Sequence, residues 1–528
     1  MFLNRGRLTA TRSQRALLHS QAKKKATSAA NVSLLPLLGT AGAITVAATL
    51  YHSRPALNEA VKTEDGLPIK KVRLFQTAID RYDNRPFEIL PQKSIDGIFR
   101  SGEVAYKFAQ PIKYVSGVYV NSLRSNDPIE DHYSVDTIGS DKLIAGVYDG
   151  HIGPECSKLI RHKIPIYVAQ HIEHLPLTKS VDKVMGAISS AFEELDNHIQ
   201  QRFLDLFPKN LSKLSAKDIR GAIANRKDQK ETRKIIEEAI HGSCASIAYV
   251  DGKDVYTANT GDSRSVVVSV DKDGNWIGKR LVEEQTPARP AWRELMESQH
   301  PASETPGLIR KNRVFGLIAV GGAFGDIMYK VPVEHQTAVL PNIPADIYQR
   351  FARYHHRIIA NYRTPPYLYS KPIVTHYEMQ ENDRFIVIAT DGLWWFTGKE
   401  DEHSADGDQA VADIMSKWKG TGEAEEVNPA THLMKKSFVQ RRIYDFASEN
   451  SKGNFDEAVE VSKLLTKQPS RHFRDDITII VIQLHVNQNS EKKDPSLYGE
   501  VIEARQVDVK SPKIYTKAQT SWASWFSG

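Results

Sequence analysis

Two cysteines in 528 residues, Cys156 and Cys244, leave no disulfide framework to build on. Cys156 falls in the helical stretch behind an Asp-Gly-His turn and Cys244 opens an apolar run, so both read as packing residues. The 18 histidines show no zinc-like spacing with cysteine partners. Also missing are internal repeats and a convincing linker between about 111 and 486, which favours one large domain there. The most one-sided absence is of acid. No Asp or Glu precedes Glu59, while residues 1–58 carry eight Lys and Arg. The whole chain has 70 basic and 64 acidic residues, so the rest is nearly neutral at 62 against 64. The basicity belongs to the leader, not the body, and no nucleic-acid partner is expected.

That acid-free leader, rich in Arg, Ser, Thr and Ala, has the pattern of a mitochondrial transit peptide over 1–31. Residues 32–50 follow without a charge, and as a helix they would span about 28 Å, near the thickness of a bilayer's hydrocarbon core. The expectation is an inner-membrane anchor; the alternative is a longer cleaved leader. A linker and N-terminal extension over 51–110, a catalytic domain over 111–486 and a tail over 487–528, closed by Trp522, Trp525 and Phe526, complete the plan.

Inside the body, acids recur at the tips of apolar runs. Leu143-Ile144-Ala145-Gly146-Val147-Tyr148 reads as a buried strand that delivers Asp149-Gly150-His151. Arg384-Phe385-Ile386-Val387-Ile388-Ala389 likewise delivers Asp391-Gly392, whereas Arg474-Asp475-Asp476 enters a strand, and Glu130-Asp131 precedes the short run Tyr133-Ser134-Val135. A lone Asp-Gly is a turn signal. Four acidic sites at strand ends suggest a cluster that repels itself unless cations neutralise it, and oxygen-only ligands select hard ions such as Mg²⁺ or Mn²⁺. Further strands are expected at 114–120, 243–250, 255–260, 265–270 and 373–377, and helices at 153–174, 180–206 and 227–240. Strands come in runs, as do helices, which favours antiparallel sheets covered by helices over a doubly wound parallel sheet. Residues 209–228 and the acidic stretch 400–408 read as surface insertions, and His355-His356 as part of a surface helix.

The order of Glu130-Asp131, Asp149-Gly150-His151-Ile152-Gly153, Gly242-Ser243-Cys244-Ala245, Gly261-Asp262-Ser263-Arg264, Ala323-Phe324-Gly325-Asp326, Asp391-Gly392-Leu393-Trp394 and Arg474-Asp475-Asp476 resembles the metal-dependent protein phosphatase 2C family, from about 114 to 484. Asn126-Asp127-Pro128-Ile129-Glu130-Asp131 and Tyr362-Arg363-Thr364-Pro365-Pro366-Tyr367-Leu368 are similar to its mitochondrial pyruvate dehydrogenase phosphatase branch. The resemblance implies an α+β fold, a four-layer α-β-β-α sandwich with a central antiparallel β-sandwich flanked by helices. It implies two Mg²⁺ or Mn²⁺ ions, with Asp149 bridging, the Gly150 carbonyl at the second ion, Asp391 and Asp475 at the first, and Glu130 and Asp131 ordering the coordinated waters. His151 is the implied general acid. Asp262 is a candidate for a further metal site, Arg264 for a structural ion pair, and Gly325-Asp326 for a loop over the cleft. The implied substrate is a phosphoserine or phosphothreonine of a mitochondrial protein, above all the E1 subunit of the pyruvate dehydrogenase complex. The alternatives are another mitochondrial phosphoprotein or a pseudophosphatase that only binds. A matrix substrate and an anchored leader leave the matrix and the intermembrane space both open.

Three positions depart from the family pattern. Asn126 stands where many members carry an arginine for the substrate phosphate, so another cation is expected. Gly322 stands where an arginine precedes Ala-Phe-Gly-Asp, and Trp395 stands where an acid follows Gly-Leu-Trp, which puts a third metal site in doubt.

Overall fold

The computed structural model describes residues 85–176, 180–398, 406–420, 428–448, 454–485 and 495–515. The leader, the run at 32–50 and the terminal tryptophans lie outside them.

Two large sheets pack face to face. One has seven strands in the order Trp276–Arg280, Arg264–Val270, Asp383–Ala389, Ile477–Leu484, Val115–Leu123, Val104–Lys107 and Glu500–Glu503. The other has six, in the order Ile373–Glu378, Asp254–Thr260, Ala245–Asp251, Lys142–Tyr148, His132–Ile138 and Arg505–Gln506. Alternation along each strand explains why their sequences look apolar throughout. Leu143, Ala145 and Val147 meet Ile386, Ile388, Ile480 and Ile482 of the opposite sheet in the inter-sheet core. Their neighbours Ile144 and Tyr148 point outward into a core shared with helices Glu155–Glu173 and Val181–Leu204. On the far side, Val387, Ala389, Ile479 and Val481 pack under helices Asp406–Met415, Pro429–Ser448 and Glu457–Thr466. The result is the four-layer sandwich, helices outside two sheets.

The sheets also take in residues beyond both ends of 111–486. Val104–Lys107 is an inner strand of the seven-stranded sheet, and Glu500–Glu503 pairs with it in parallel. Arg505–Gln506 adds a second parallel pairing on the six-stranded sheet. The sandwich is therefore antiparallel except at two edges, where backbone hydrogen bonding recruits chain without needing a distinctive side-chain pattern.

Two expected surface features are corrected. His355, on helix Ala345–Asn361, is 1% exposed, its ring held between the Tyr348 hydroxyl at 2.9 Å and Gln336 Oε1 at 3.1 Å. Asp408, at the end of the acidic stretch, is buried and accepts from Arg264 Nη1 at 2.7 Å and Arg280 Nε at 2.9 Å. Burial of those two arginines needs carboxylates from elsewhere in the chain, and Asp408 supplies one. At 209–228, by contrast, a short helix, Ala216–Ala224, is closed by the Ser215–Asp218 capping box.

Candidate metal centre and active site

Both sheets contribute acids to one end of the sandwich. Asp149 leaves strand Lys142–Tyr148, and Asp391 follows strand Asp383–Ala389 as the first residue of helix Asp391–Thr397, where a carboxylate suits the helix dipole. Asp262 sits on the turn that carries the chain from strand Asp254–Thr260 of one sheet to Arg264–Val270 of the other. Carboxylate oxygens of Asp149, Asp262 and Asp391 lie within 4.8 Å of one another. Glu130, Asp475 and His151 line the same cavity, whose volume is about 830 Å³.

The electrostatics are those of an under-neutralised cluster. Loss of hydration pushes the Asp149 carboxyl well up, helped by Asp391, Asp131, Asp475 and Asp262. Burial raises Asp475 to about 6 and Glu130 to about 7, each also pushed up by neighbouring acids. An all-oxygen donor set whose members resist ionising together fits a hard divalent cation, which would restore their charge.

Gly150 contributes differently from a mere opening for a cation. A Cβ there would stand 2.4 Å from the Glu130 carbonyl oxygen and 2.6 Å from Ser157 Oγ, so glycine lets the Glu130 backbone close against the Asp149 turn. Asp131 faces inward instead of lining the cavity: it is 5% exposed and accepts from Thr390 Oγ1 at 2.9 Å, tying the start of strand His132–Ile138 to the Asp391 turn. Burial, then Asp476 and Asp475, push its carboxyl well up.

The second acid of Asp475-Asp476 has a separate task. Asp476 accepts from the backbone N–H groups of Ser125, Asn126 (2.8 Å) and Glu130 (2.8 Å) and from Asn126 Nδ2 (3.0 Å). It clamps the 125–130 loop, and Asn126 is part of that clamp. Arg474 Nη2 donates to the Arg124 carbonyl at 2.6 Å and holds the same loop.

A three-stranded patch gathers the remaining motifs. Gly150–His151 pairs with Gly242–Ser243, which pairs with Phe324–Gly325. His151 Nε2 lies 2.7 Å from Asp326 Oδ2, and Asp326 is fully buried in the left-handed region at φ 49°. A Cβ on Gly242 would stand 1.9 Å from His151 Nε2 and 2.5 Å from Asp326 Oδ2, which is why glycine occupies this strand. Burial disfavours the His151 charge, yet Asp326 and, behind it, Glu130 and Asp262 raise its pKa above that of a free histidine. A raised pKa favours the protonated ring, the form able to donate. Under this patch, Lys330 Nζ bonds Asp196 Oδ2 at 2.8 Å and the Ala323 carbonyl at 2.6 Å, while Asp196 Oδ1 accepts from the Gly325 N–H at 2.9 Å.

Sequence reasoning missed Asp326 as the partner of His151, because 175 residues separate them. It also missed Arg471, whose Nη2 lies 2.7 Å from Asp475 Oδ2 at the cavity wall. Burial opposes the Arg471 charge, but Asp475, Asp391, Asp149 and Glu130 raise its pKa. Nothing in the run Arg471-His472-Phe473-Arg474 distinguished it. Arg264 is fully buried, with Nε 2.7 Å from Glu284 Oε1 and its guanidinium 4.5 Å from the Trp394 ring centre. Cys244 Sγ donates to Asp262 Oδ1 at 3.3 Å, and burial raises both thiols well above the ordinary range. Trp395 lines the cavity, and Gly322 abuts Gln285 Oε1 with no room for a side chain.

Among known proteins, the chain is 26% identical over 475 residues to human pyruvate dehydrogenase (acetyl-transferring) phosphatase 1, mitochondrial, covering 77% of this chain and 85% of that protein. It is 27% identical over 448 residues to human phosphatase 2 of the same name, covering 74% and 83%. A Saccharomyces cerevisiae protein named as phosphatase 1 is 29% identical over 322 residues, covering 57% of this chain and 50% of that one. Among solved structures, a serine-threonine phosphatase 2C from Toxoplasma gondii superposes with a TM-score of 0.42 at 14% identity, covering 72% of this chain and 99% of that chain. Residues 138–402, half of the sequence and the span that holds Asp149, His151, Asp262, Asp326 and Asp391, match the family described as Protein phosphatase 2C, and the chain is a member of that family of metal-dependent protein serine/threonine phosphatases.

Proposed function

We propose that this phosphatase acts in mitochondria on phosphoserine or phosphothreonine of the pyruvate dehydrogenase complex, its E1 subunit being the substrate. The observation that carries the substrate is the extent of likeness: relatives named for that activity match over 77% of this chain and 85% of their own length. The acid-free leader at 1–31 supports the compartment. No helix among the described residues is long and apolar enough to cross a membrane, and 32–50 lies outside them.

For the chemistry, Asp149, Asp391 and Asp475 would hold two Mg²⁺ or Mn²⁺ ions, with the Gly150 carbonyl, Asp262 and Glu130 completing the donor set. Bound divalent ions supply an activated water and screen the phosphoryl oxygens. Asp131 braces the Asp391 turn from behind. His151, charged and aimed by Asp326, gives its proton to the seryl or threonyl oxygen as the P–O bond breaks. Arg471 is the cation that takes up substrate phosphate in place of the arginine that Asn126 replaces, and with Asp475 as its partner it is fixed at the cavity wall.

The test is direct. Recombinant enzyme with Mg²⁺ or Mn²⁺ is given phosphorylated E1 and, separately, unrelated phosphoproteins of the mitochondrial matrix. Release of phosphate from E1 with the higher kcat/KM is expected; preference for another substrate overturns the E1 assignment. A reporter fused behind residues 1–31 should enter mitochondria, and a cytosolic reporter overturns the compartment.

A further inference from the structure

Helix Ala345–Asn361 turns two unlike faces outward from its axis. Ile347, Phe351, His355 and Ile358 are buried in the core below. Arg350, Arg353, Tyr354 and Arg357 are exposed and spaced three and four apart, so they share one face. All four line the cavity that holds the acid cluster. Arg313, on the short strand Arg313–Val314, lines it too, with Nη1 3.1 Å from the Leu317 carbonyl.

These arginines differ from those that the fold ties into ion pairs. Arg264, Arg202, Arg442 and Arg233 all meet carboxylates. Arg353 and Arg357 form no ion pair with any described carboxylate, and Arg350 reaches only His241 Nε2 at 3.3 Å. The Arg353 guanidinium lies 4.4 Å from the Tyr354 ring centre. A row of exposed guanidinium groups lining the same cavity as the acid cluster is a charge pattern with a use. The acids alone would repel an acidic chain, and the row of arginines offsets that repulsion.

We propose that the Arg350–Arg353–Arg357 face, with Arg313 of the same cavity, binds an acidic segment flanking the phosphorylated residue of the protein substrate. Seven residues of helix span about 10 Å, the length of about three extended residues, so the face fits two or three consecutive or alternate Asp and Glu side chains. Arginine suits the task because its planar fork takes carboxylates bidentately. The proposal rests on the phosphatase activity of the neighbouring site and adds a specificity surface to it.

The experiment compares phosphoserine peptides flanked by Asp and Glu with otherwise identical peptides flanked by Asn and Gln. The full-length enzyme is used at low ionic strength with saturating Mg²⁺ or Mn²⁺. Wild type is expected to favour the acidic peptide by roughly tenfold or more in kcat/KM, through KM, and about 0.5 M KCl should erase most of that ratio. Arg353→Glu/Arg357→Glu should bring the ratio to one or below, whereas Arg353→Lys/Arg357→Lys should keep most of it. A wild type that does not distinguish the peptides, or a reversed-charge variant that keeps the wild-type ratio, overturns the proposal. If no peptide is hydrolysed, the catalytic reading has failed. Fluorescence anisotropy of a labelled, unphosphorylated acidic peptide then still decides: loss of binding in the Glu variant supports the face, and equal binding rejects it.

Discussion

Two clusters of charge use the same side chains to opposite ends. In the cleft, Asp149, Asp262 and Asp391 crowd their carboxylates within 4.8 Å, with Asp475 and Glu130 on the same walls and Arg471 as the cation at Asp475. Only two residues beyond Asp262, Arg264 joins Arg280 against Glu284 and Asp408, with Arg289 and Glu283 pairing at the outer edge, three positive groups against three negative, and the Arg264 guanidinium lies against the Trp394 ring. The second cluster is balanced and sealed; the first is unbalanced and open to solvent. Balance makes the buried set a structural tie, since removing one member strands a charge out of water. Imbalance makes the open set a receptor, since only an added cation relieves it. Charge bookkeeping within the fold thus separates a site from a strut where composition cannot.

The comparison is broken most severely by Asp149→Asn or Asp391→Asn. Each is expected to lower kcat/KM on an aryl phosphate by at least ~10³-fold, while the circular dichroism spectrum stays that of the wild type. Retention of a tenth of the activity in either variant would sink the assignment of these acids. For His151→Gln, slowing of ~10² to 10⁴-fold is expected on phosphoserine peptides, with far less on aryl phosphates, because a phenolate leaves without a proton. Equal slowing on both would make His151 a structural residue and leave Asp326 without a task.

Against these, Asp408→Ala should act on stability. Urea unfolding should show a loss of about 3–5 kcal/mol, the scale of stranding one partner of a buried ion pair. Activity per folded molecule should persist; a variant as stable as wild type would show that the buried network is not the strut described here. The smallest effect sharpens the contrast. Adding Mg²⁺ or Mn²⁺ at about a hundredfold excess over Kd should stabilise wild type by about 2.7 kcal/mol and should leave Asp149→Asn nearly unmoved, read by thermal melts with and without chelator. An equal response in both proteins would place the cation elsewhere.

Much of the fold was legible because both faces of each central strand are covered. Runs such as 143–148 and 477–482 therefore stay apolar for their whole length, and they emerge as Lys142–Tyr148 and Ile477–Leu484. The strands Val104–Lys107, Glu500–Glu503 and Arg505–Gln506 were not legible, since pairings this short rest on backbone hydrogen bonds that any sequence can make. His355 read as exposed because a histidine pair on an amphipathic helix looks solvated, and its burial depends on Gln336 and Tyr348 waiting for it.

The sequence by itself determined which residues could do chemistry: acids at strand tips, a histidine two residues beyond Asp149, glycines where two backbones must touch. Those are local properties, written in neighbouring residues and in hydrophobic period. Only the tertiary structure decided the partnerships. It set Asp262 beside Asp149 and Asp391, Asp326 behind His151, Asp476 on the 125–130 loop, Asp408 against Arg264, and a row of arginines in the same cavity as the acids. Each pairing joins segments far apart in the chain, and the electrostatics that shift a pKa or hold a cation depend on distance in space, which no count of residues between them supplies.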